Sequence, residues 1–273
     1  MYEDRAVELE HLPAGGRNFC IASAGCTAFA LAARGDAVTA VDINRAQASY
    51  LEGRLAGEPH EDGVIDRLLA RARTLGWLVG WSRRRLEAFC DLDDTTQQAR
   101  MWREQLDTAR VRAATALVLS PYLLRRAYGP EFVSAVPGRF GRVLRRRLGR
   151  GFAGHANRRN PYARLLLLGI PPEISVAARN GGNVNVACAD AADYLERCAP
   201  ASFDGFALSN VLDGTSSAYG SRLLRAVERA AAPGAGVISR SIAEPLRIED
   251  AQWAERDRSL IWGSIRVQRV GER

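Results

Sequence analysis

The sequence contains no lysine: all 38 of its basic residues are arginine. Neither a lysine Schiff base nor a phosphate-cradling P-loop lysine can come from this chain. Cysteine is scarce as well. Cys20, Cys26, Cys90, Cys188 and Cys198 are odd in number and include no C-x-x-C pair, which argues for reduced thiols and against a disulfide frame or a zinc site. No metal is expected. No charged-then-apolar leader opens at Met1, and no apolar run is long enough to span a bilayer. A soluble, cytoplasmic chain is the expectation. Internal repeats and low-complexity segments are also missing. The formal charge is +7 over 273 residues, and an all-arginine basic set partly reflects GC-rich coding. A nucleic-acid partner is therefore not expected.

What is present is an α/β rhythm, interrupted once. Asn18 to Gln47 reads NFCIASAGCTAFALAARGDAVTAVDINRAQ: an apolar run, a turn of small residues, a helix-like run, and a second apolar run ending at Asp42. From Val64 to about Ala156 charges interleave with Leu, Val and Trp at helical spacing, and few strand-like runs intervene. The rhythm returns at Asn160. NVNVACAD (Asn183 to Asp190) is strand-like and ends in an acid, and FDGFALSNVLD (Phe203 to Asp213) is a strand running into polar residues. SRLLRAVERAAAPGAGVISRSI predicts helix, Pro-Gly turn and strand, and SLIWGSIRVQRV predicts a closing strand pair. The expected fold is α/β, a mostly parallel, doubly wound sheet with a helical insertion. Its expected segments are 1–63, 64–159 and 160–273.

In such sheets ligands sit beyond the carboxyl ends of the strands, near the point where the winding reverses. Four predicted strand ends meet there: Ala22–Gly25, Asp42, Asp190 and Ser209–Asp213. Gly25 lets a ligand approach the backbone, and the helix amides after it favour a carboxylate or phosphate. Taken alone, that turn reads equally as an ordinary strand-helix connection. Asp42 can accept both ribose hydroxyls, and Asp190 can accept from an adenine amino group. Together the three describe an adenosine site with no pyrophosphate cradle, which is the pattern of S-adenosylmethionine and not of NAD.

Four blocks carry a resemblance. They are Tyr2-Glu3-Asp4, IASAGCT (Ile21 to Thr27), AVDINRAQ (Ala40 to Gln47) and His60-Glu61-Asp62; NPYARLLLLG (Asn160 to Gly169), the LSN of Leu208 to Asn210, and VISRS follow. The pattern resembles that of the S-adenosylmethionine:diacylglycerol 3-amino-3-carboxypropyltransferases of betaine-lipid synthesis, with Thr27 where that family carries Asn. The resemblance implies a methyltransferase-like Rossmann fold with S-adenosylmethionine as co-substrate. It implies a cofactor pocket of Tyr2, Ala22, Ser23, Gly25, Asp42, Ile43, Asn44, Gln47, Asp190, Ala191, Ser209, Asn210 and Arg240. Attack on the methionine Cγ then transfers an aminocarboxypropyl group to a hydroxyl, on diacylglycerol or a small metabolite, and releases methylthioadenosine.

Selecting that carbon requires the methionine carboxylate to be held firmly. Arg240 suits by bidentate pairing, and turn amides are the alternative. Asp213, Glu3 and Asp4 are the candidate general bases, with His155 a further option; each also has a solvated or structural reading. Two other functions stay open: a methyltransferase on the same fold, and a non-enzymatic cofactor-binding or RNA-contacting module. Gly138 to Asn160, GRFGRVLRRRLGRGFAGHANRRN, is a basic amphipathic segment. It predicts either a solvated helix face or peripheral contact with the inner face of a membrane.

Overall fold

A computed structural model describes residues 2–59, 63–172 and 183–271. The sheet has six strands in the order β3-β2-β1-β4-β5-β6. These are β1 (Arg17–Ile21), β2 (Ala37–Asp42), β3 (Val184–Cys188), β4 (Phe203–Ala207), β5 (Ala231–Ser241) and β6 (Ser264–Arg269). The first five are parallel, and β6 runs antiparallel to β5. Side chains alternate across a strand, so β1 serves two cores at once. Cys20 packs with α1 (Ala6–His11), α2 (Cys26–Ala33) and α3 (Arg45–Leu55), whereas Phe19 packs with α12 (Ala191–Arg197) and α13 (Ser217–Ala230) on the other face. The helix after β1 and the helix after β4 thus cover opposite faces. The winding reverses between these two central strands, an arrangement compatible with a Rossmann-like fold.

The crossover from β2 to β3 carries a helical layer. It comprises α4 (Val64–Thr74), α5 (Arg83–Cys90), α6 (Thr95–Met101), α7 (Ala109–Val118), α8 (Pro121–Ala127), α9 (Pro130–Ala135), α10 (Phe140–Gly154) and α11 (Pro161–Leu168). A separate core of Phe89, Trp102, Leu106, Leu148, Phe152, Ala163 and Leu167 holds it together. Ala163 and Leu167 of α11 belong to that core. Asn160 caps α11 from the side, accepting from Tyr162 N at 3.0 Å with Pro161 at the first helical position. Buried Arg147 of α10 joins layer to sheet, donating to the Ile242 and Ile261 carbonyls at 2.9 and 3.0 Å.

The apolar residues of the basic segment, Val143, Leu148 and Phe152, are buried, and Arg142, Arg146 and Arg150 are exposed. Two sequence expectations change. Pro233 and Gly234 do not form a turn before β5 but lie within it. The register against β4 slips there, from Phe203 opposite Ala231 to Gly205 opposite Gly236, and Gly234 takes φ +75°. The last segment supplies one strand, β6, and not a pair; Leu260 at φ +73° turns the chain after α14 (Ile248–Arg256). Among the described residues no helix is long and apolar enough to cross a membrane. His60-Glu61-Asp62 lies outside the described residues.

Candidate functional site

The two strands flanking the winding reversal both end in a serine with left-handed backbone: Ser23 after β1 at φ +44° and Ser209 after β4 at φ +51°. Such conformations cost roughly 1–3 kcal/mol each in a non-glycine residue and concentrate at ligand sites. Ser23 is fixed by its neighbour strand, its N–H donating to Asp42 Oδ2 at 3.0 Å. Gly25 then takes φ +78° and begins α2. A Cβ there would overlap Leu51 Cδ1, so both backbone and space require glycine. No side chain caps α2 and no acid lies in its first turn, which leaves its leading amides to an outside acceptor. The Arg54 guanidinium of α3 donates to the Ala24 carbonyl and stands 3.9 Å from Cys26 Sγ.

Asp42 closes β2. Its second oxygen accepts from Asn44 N at 2.9 Å, and Asn44 in turn caps α3 through Ala46 N. Ile43 between them is 72% exposed, an apolar side chain presented at the sheet edge beside two polar ones. Gln47, one turn on, is exposed. Asp190 follows β3 and caps α12 through Asp193 N at 3.0 Å, while its other oxygen accepts from Tyr219 Oη at 2.7 Å. Ala191 behind it is buried. Burial, with the Asp190 carboxylate next to it, pushes the Tyr219 hydroxyl up to about 12. Each carboxylate oxygen here has one intramolecular donor and a second lone-pair direction in hand.

The N-terminal segment lies across these strand ends. Trp262 Nε1 donates to the Tyr2 carbonyl at 3.0 Å, and Tyr2 Oη donates to Asp66 of α4 at 2.9 Å. Ser209 Oγ donates to Glu3 Oε1 and lies 3.4 Å from Asn210 Oδ1. Asp4 has a different task. Its two oxygens accept from Arg258 Nε and Nη2 at 2.6 and 2.7 Å, and also from the Arg258 and Ala6 amides. Burial raises the Asp4 carboxyl, but the hydrogen bonds and charge of Arg258 outweigh it and hold the group below the ordinary carboxylate range. A saturated, weakly basic carboxylate is a clamp and not a proton acceptor. Asn160 tightens the same clamp by donating to the Arg258 carbonyl at 2.9 Å.

Arg240 ends up behind the site and not in it. It is 2% exposed, forks onto Glu8, and donates to the Asp4 carbonyl at 2.9 Å. Glu3 lies 3.8 Å and Asp257 3.6 Å from it. A guanidinium so enclosed has no fork to offer a substrate carboxylate; it fixes the floor under Glu3. Asp213 is 6% exposed and accepts from Ser241 Oγ at 2.5 Å and Ile242 N at 2.8 Å. Burial pushes its carboxyl up despite these donors. It ties the loop after β4 to the end of β5. His155 bonds the Glu255 carbonyl at 2.9 Å through Nε2 and secures the junction of α10 with α14.

The structure thus gathers Tyr2, Glu3, Ser23, Gly25, Asp42, Asn44, Asp190, Ser209 and Asn210 around the sheet's carboxyl edge, and sets Asp4, Arg240 and Asp213 underneath as braces. Arg54, Tyr219, Ser241 and Arg258 were not legible in the sequence. Their partners are distant in the chain, and an arginine or tyrosine on a helix face carries no spacing signal. Among the described residues no group of His, Cys, Asp and Glu could hold a metal ion. No family model matches this chain, and neither a curated protein nor a solved structure matches it.

Proposed function

We propose that the crevice between β1 and β4 binds S-adenosylmethionine and that the protein transfers its 3-amino-3-carboxypropyl group to a hydroxyl acceptor, diacylglycerol or a small metabolite. On this reading the sheet is that of the S-adenosylmethionine-dependent methyltransferase-like proteins. Asp42 takes the ribose hydroxyls, Asp190 the adenine amino group, and Ile43 one face of the base. The methionine carboxylate goes to the uncapped amides of α2, a place that Arg240 cannot fill. This set fits an adenosine bearing an amino-acid tail and has no second anion site for a pyrophosphate.

The observation that carries the reading is the bond between Glu3 and Ser209. It holds a carboxylate at the strand ends, beside the strained turn. In the reaction the acceptor oxygen attacks the methionine Cγ and the Cγ–S bond breaks. Its electron pair stays on sulfur in methylthioadenosine, and the hydroxyl proton passes to Glu3. The enzyme's part is placement: Cγ, and not the methyl, must be in line with the oxygen. Incubation with S-adenosylmethionine and identification of the nucleoside product by mass tests this. Methylthioadenosine is expected, and S-adenosylhomocysteine would establish a methyltransferase instead.

A further inference from the structure

A cavity of about 1040 Å³ lies in the helical layer between α6, α7 and α10. Its walls carry seven arginines and one acid, Asp107. Arg112 and Arg145 share that acid at 3.3 and 2.9 Å. Arg146 and Arg150 reach outward to Glu244 and Glu255. Arg103, Arg139 and Arg142 are exposed and have no acidic partner among the described residues. Seven guanidinium groups therefore face three carboxylates, and unpaired arginines in a concave site suit the planar, bidentate recognition of phosphate oxygens.

Apolar side chains adjoin the arginines of this cavity. Leu119 and Pro121 line it, and in the same α7–α8 corner Leu117, Val118 and Tyr122 are 68%, 59% and 66% exposed. The short 3₁₀ turn at Gly76–Val79 packs against α7 and adds Trp77, 68% exposed, and Leu78, 51% exposed. Large apolar side chains gathered on a surface mark an interaction site. Beside a cationic cleft they match the two-part chemistry of a bilayer interface, with acyl chains next to phosphate. Leu117, Val118 and Leu78 are aliphatic, as acyl chains require, and Trp77 and Tyr122 are the amphipathic aromatics that sit at a membrane-water interface.

We infer that the α7–α8 corner seats in the surface of an anionic phospholipid bilayer, with the headgroup phosphate held in the arginine cleft by Arg103, Arg139 and Arg142. It uses none of the residues of the transfer reading and does not depend on it.

Flotation of the full chain with vesicles tests it. One set is phosphatidylcholine alone, and the other contains phosphatidylglycerol. Wild type is expected to float with the second set and not the first. Arg103→Gln/Arg142→Gln, two exposed and unpaired positions whose loss leaves the fold intact, should lower that partition at least about tenfold. Leu117→Ser/Val118→Ser should lower it as well, with an unchanged far-UV spectrum. Flotation indifferent to the arginine pair, no flotation, or tight binding of a soluble phosphomonoester or a single-stranded oligonucleotide without vesicle binding each overturns the inference.

Discussion

Ser209 donates a hydrogen bond to Glu3, a residue 206 positions earlier in the chain. The contact joins the left-handed turn after β4 to the N-terminal segment and leaves a carboxylate over the point where the sheet's winding reverses. If Glu3 is the proton acceptor, Glu3→Gln should lower kcat by about a hundredfold or more. The affinity for S-adenosylmethionine should change little, because the amide still accepts from Ser209. Ser209→Ala should cost far less. Steady-state kinetics with calorimetric binding separates the two.

Asp42 holds the Ser23 and Asn44 amides at 3.0 and 2.9 Å and, on the proposed reading, the ribose. Hydrogen bonds to a charged group are worth roughly 1.5–3 kcal/mol. Asp42→Ala should therefore weaken binding of S-adenosylmethionine by about ten- to a hundredfold in titration calorimetry. An unchanged affinity would move the ribose elsewhere.

Gly25 has no room for a side chain. Gly25→Ala overlaps Leu51 Cδ1, meets Phe29 Cε2 at 3.2 Å and must also hold φ +78°. A cost of about 1–3 kcal/mol is expected, or a fall in Tm of several degrees in a protein this size. Adding Leu51→Ala relieves the overlap but not the backbone, and opens a cavity of its own, so thermal melts of the double variant should not return to wild type.

Acid should loosen the N-terminal clamp. The carboxyl of Asp4 sits below its ordinary value of 3.8 in the folded protein, so its pairing with Arg258 stabilises the fold above that value. This contribution is lost as pH falls through the lower folded pKa. Asp257, pushed up to about 6 by burial, works in the opposite sense: its contribution is complete below 3.8 and is lost as pH rises through about 6. Urea midpoints from pH 3 to 7 should show Asp4→Asn with a shallower acid limb than wild type, and Asp257→Asn with a flatter profile between 4 and 6.

Local pattern made the strand ends legible. Apolar runs stopping at Asp42, Asp190 and Ser209 mark where parallel strands leave the core, and Gly25 marks the turn. Partnership was not legible. Arg240 reads as an available cation at a strand end, yet its alternation with buried Ile238 and Ile242 puts it inside, where Glu8 of α1 takes it. Asp4 reads as a free acid until Arg258, close to it only in three dimensions, closes on it. The amphipathic pattern of α10 is real, but its apolar side faces Phe89 and Trp102 of the same layer. Periodicity reports that a face is buried and is silent about which surface buries it.

The central claim is which carbon of S-adenosylmethionine is attacked, and a double label decides it. With one label in the carboxyl group and another in the methyl group, turnover should carry the carboxyl label into the acceptor while the methyl label stays on the nucleoside as methylthioadenosine. Methyl label in the acceptor, with the carboxyl label retained in S-adenosylhomocysteine, would contradict the account.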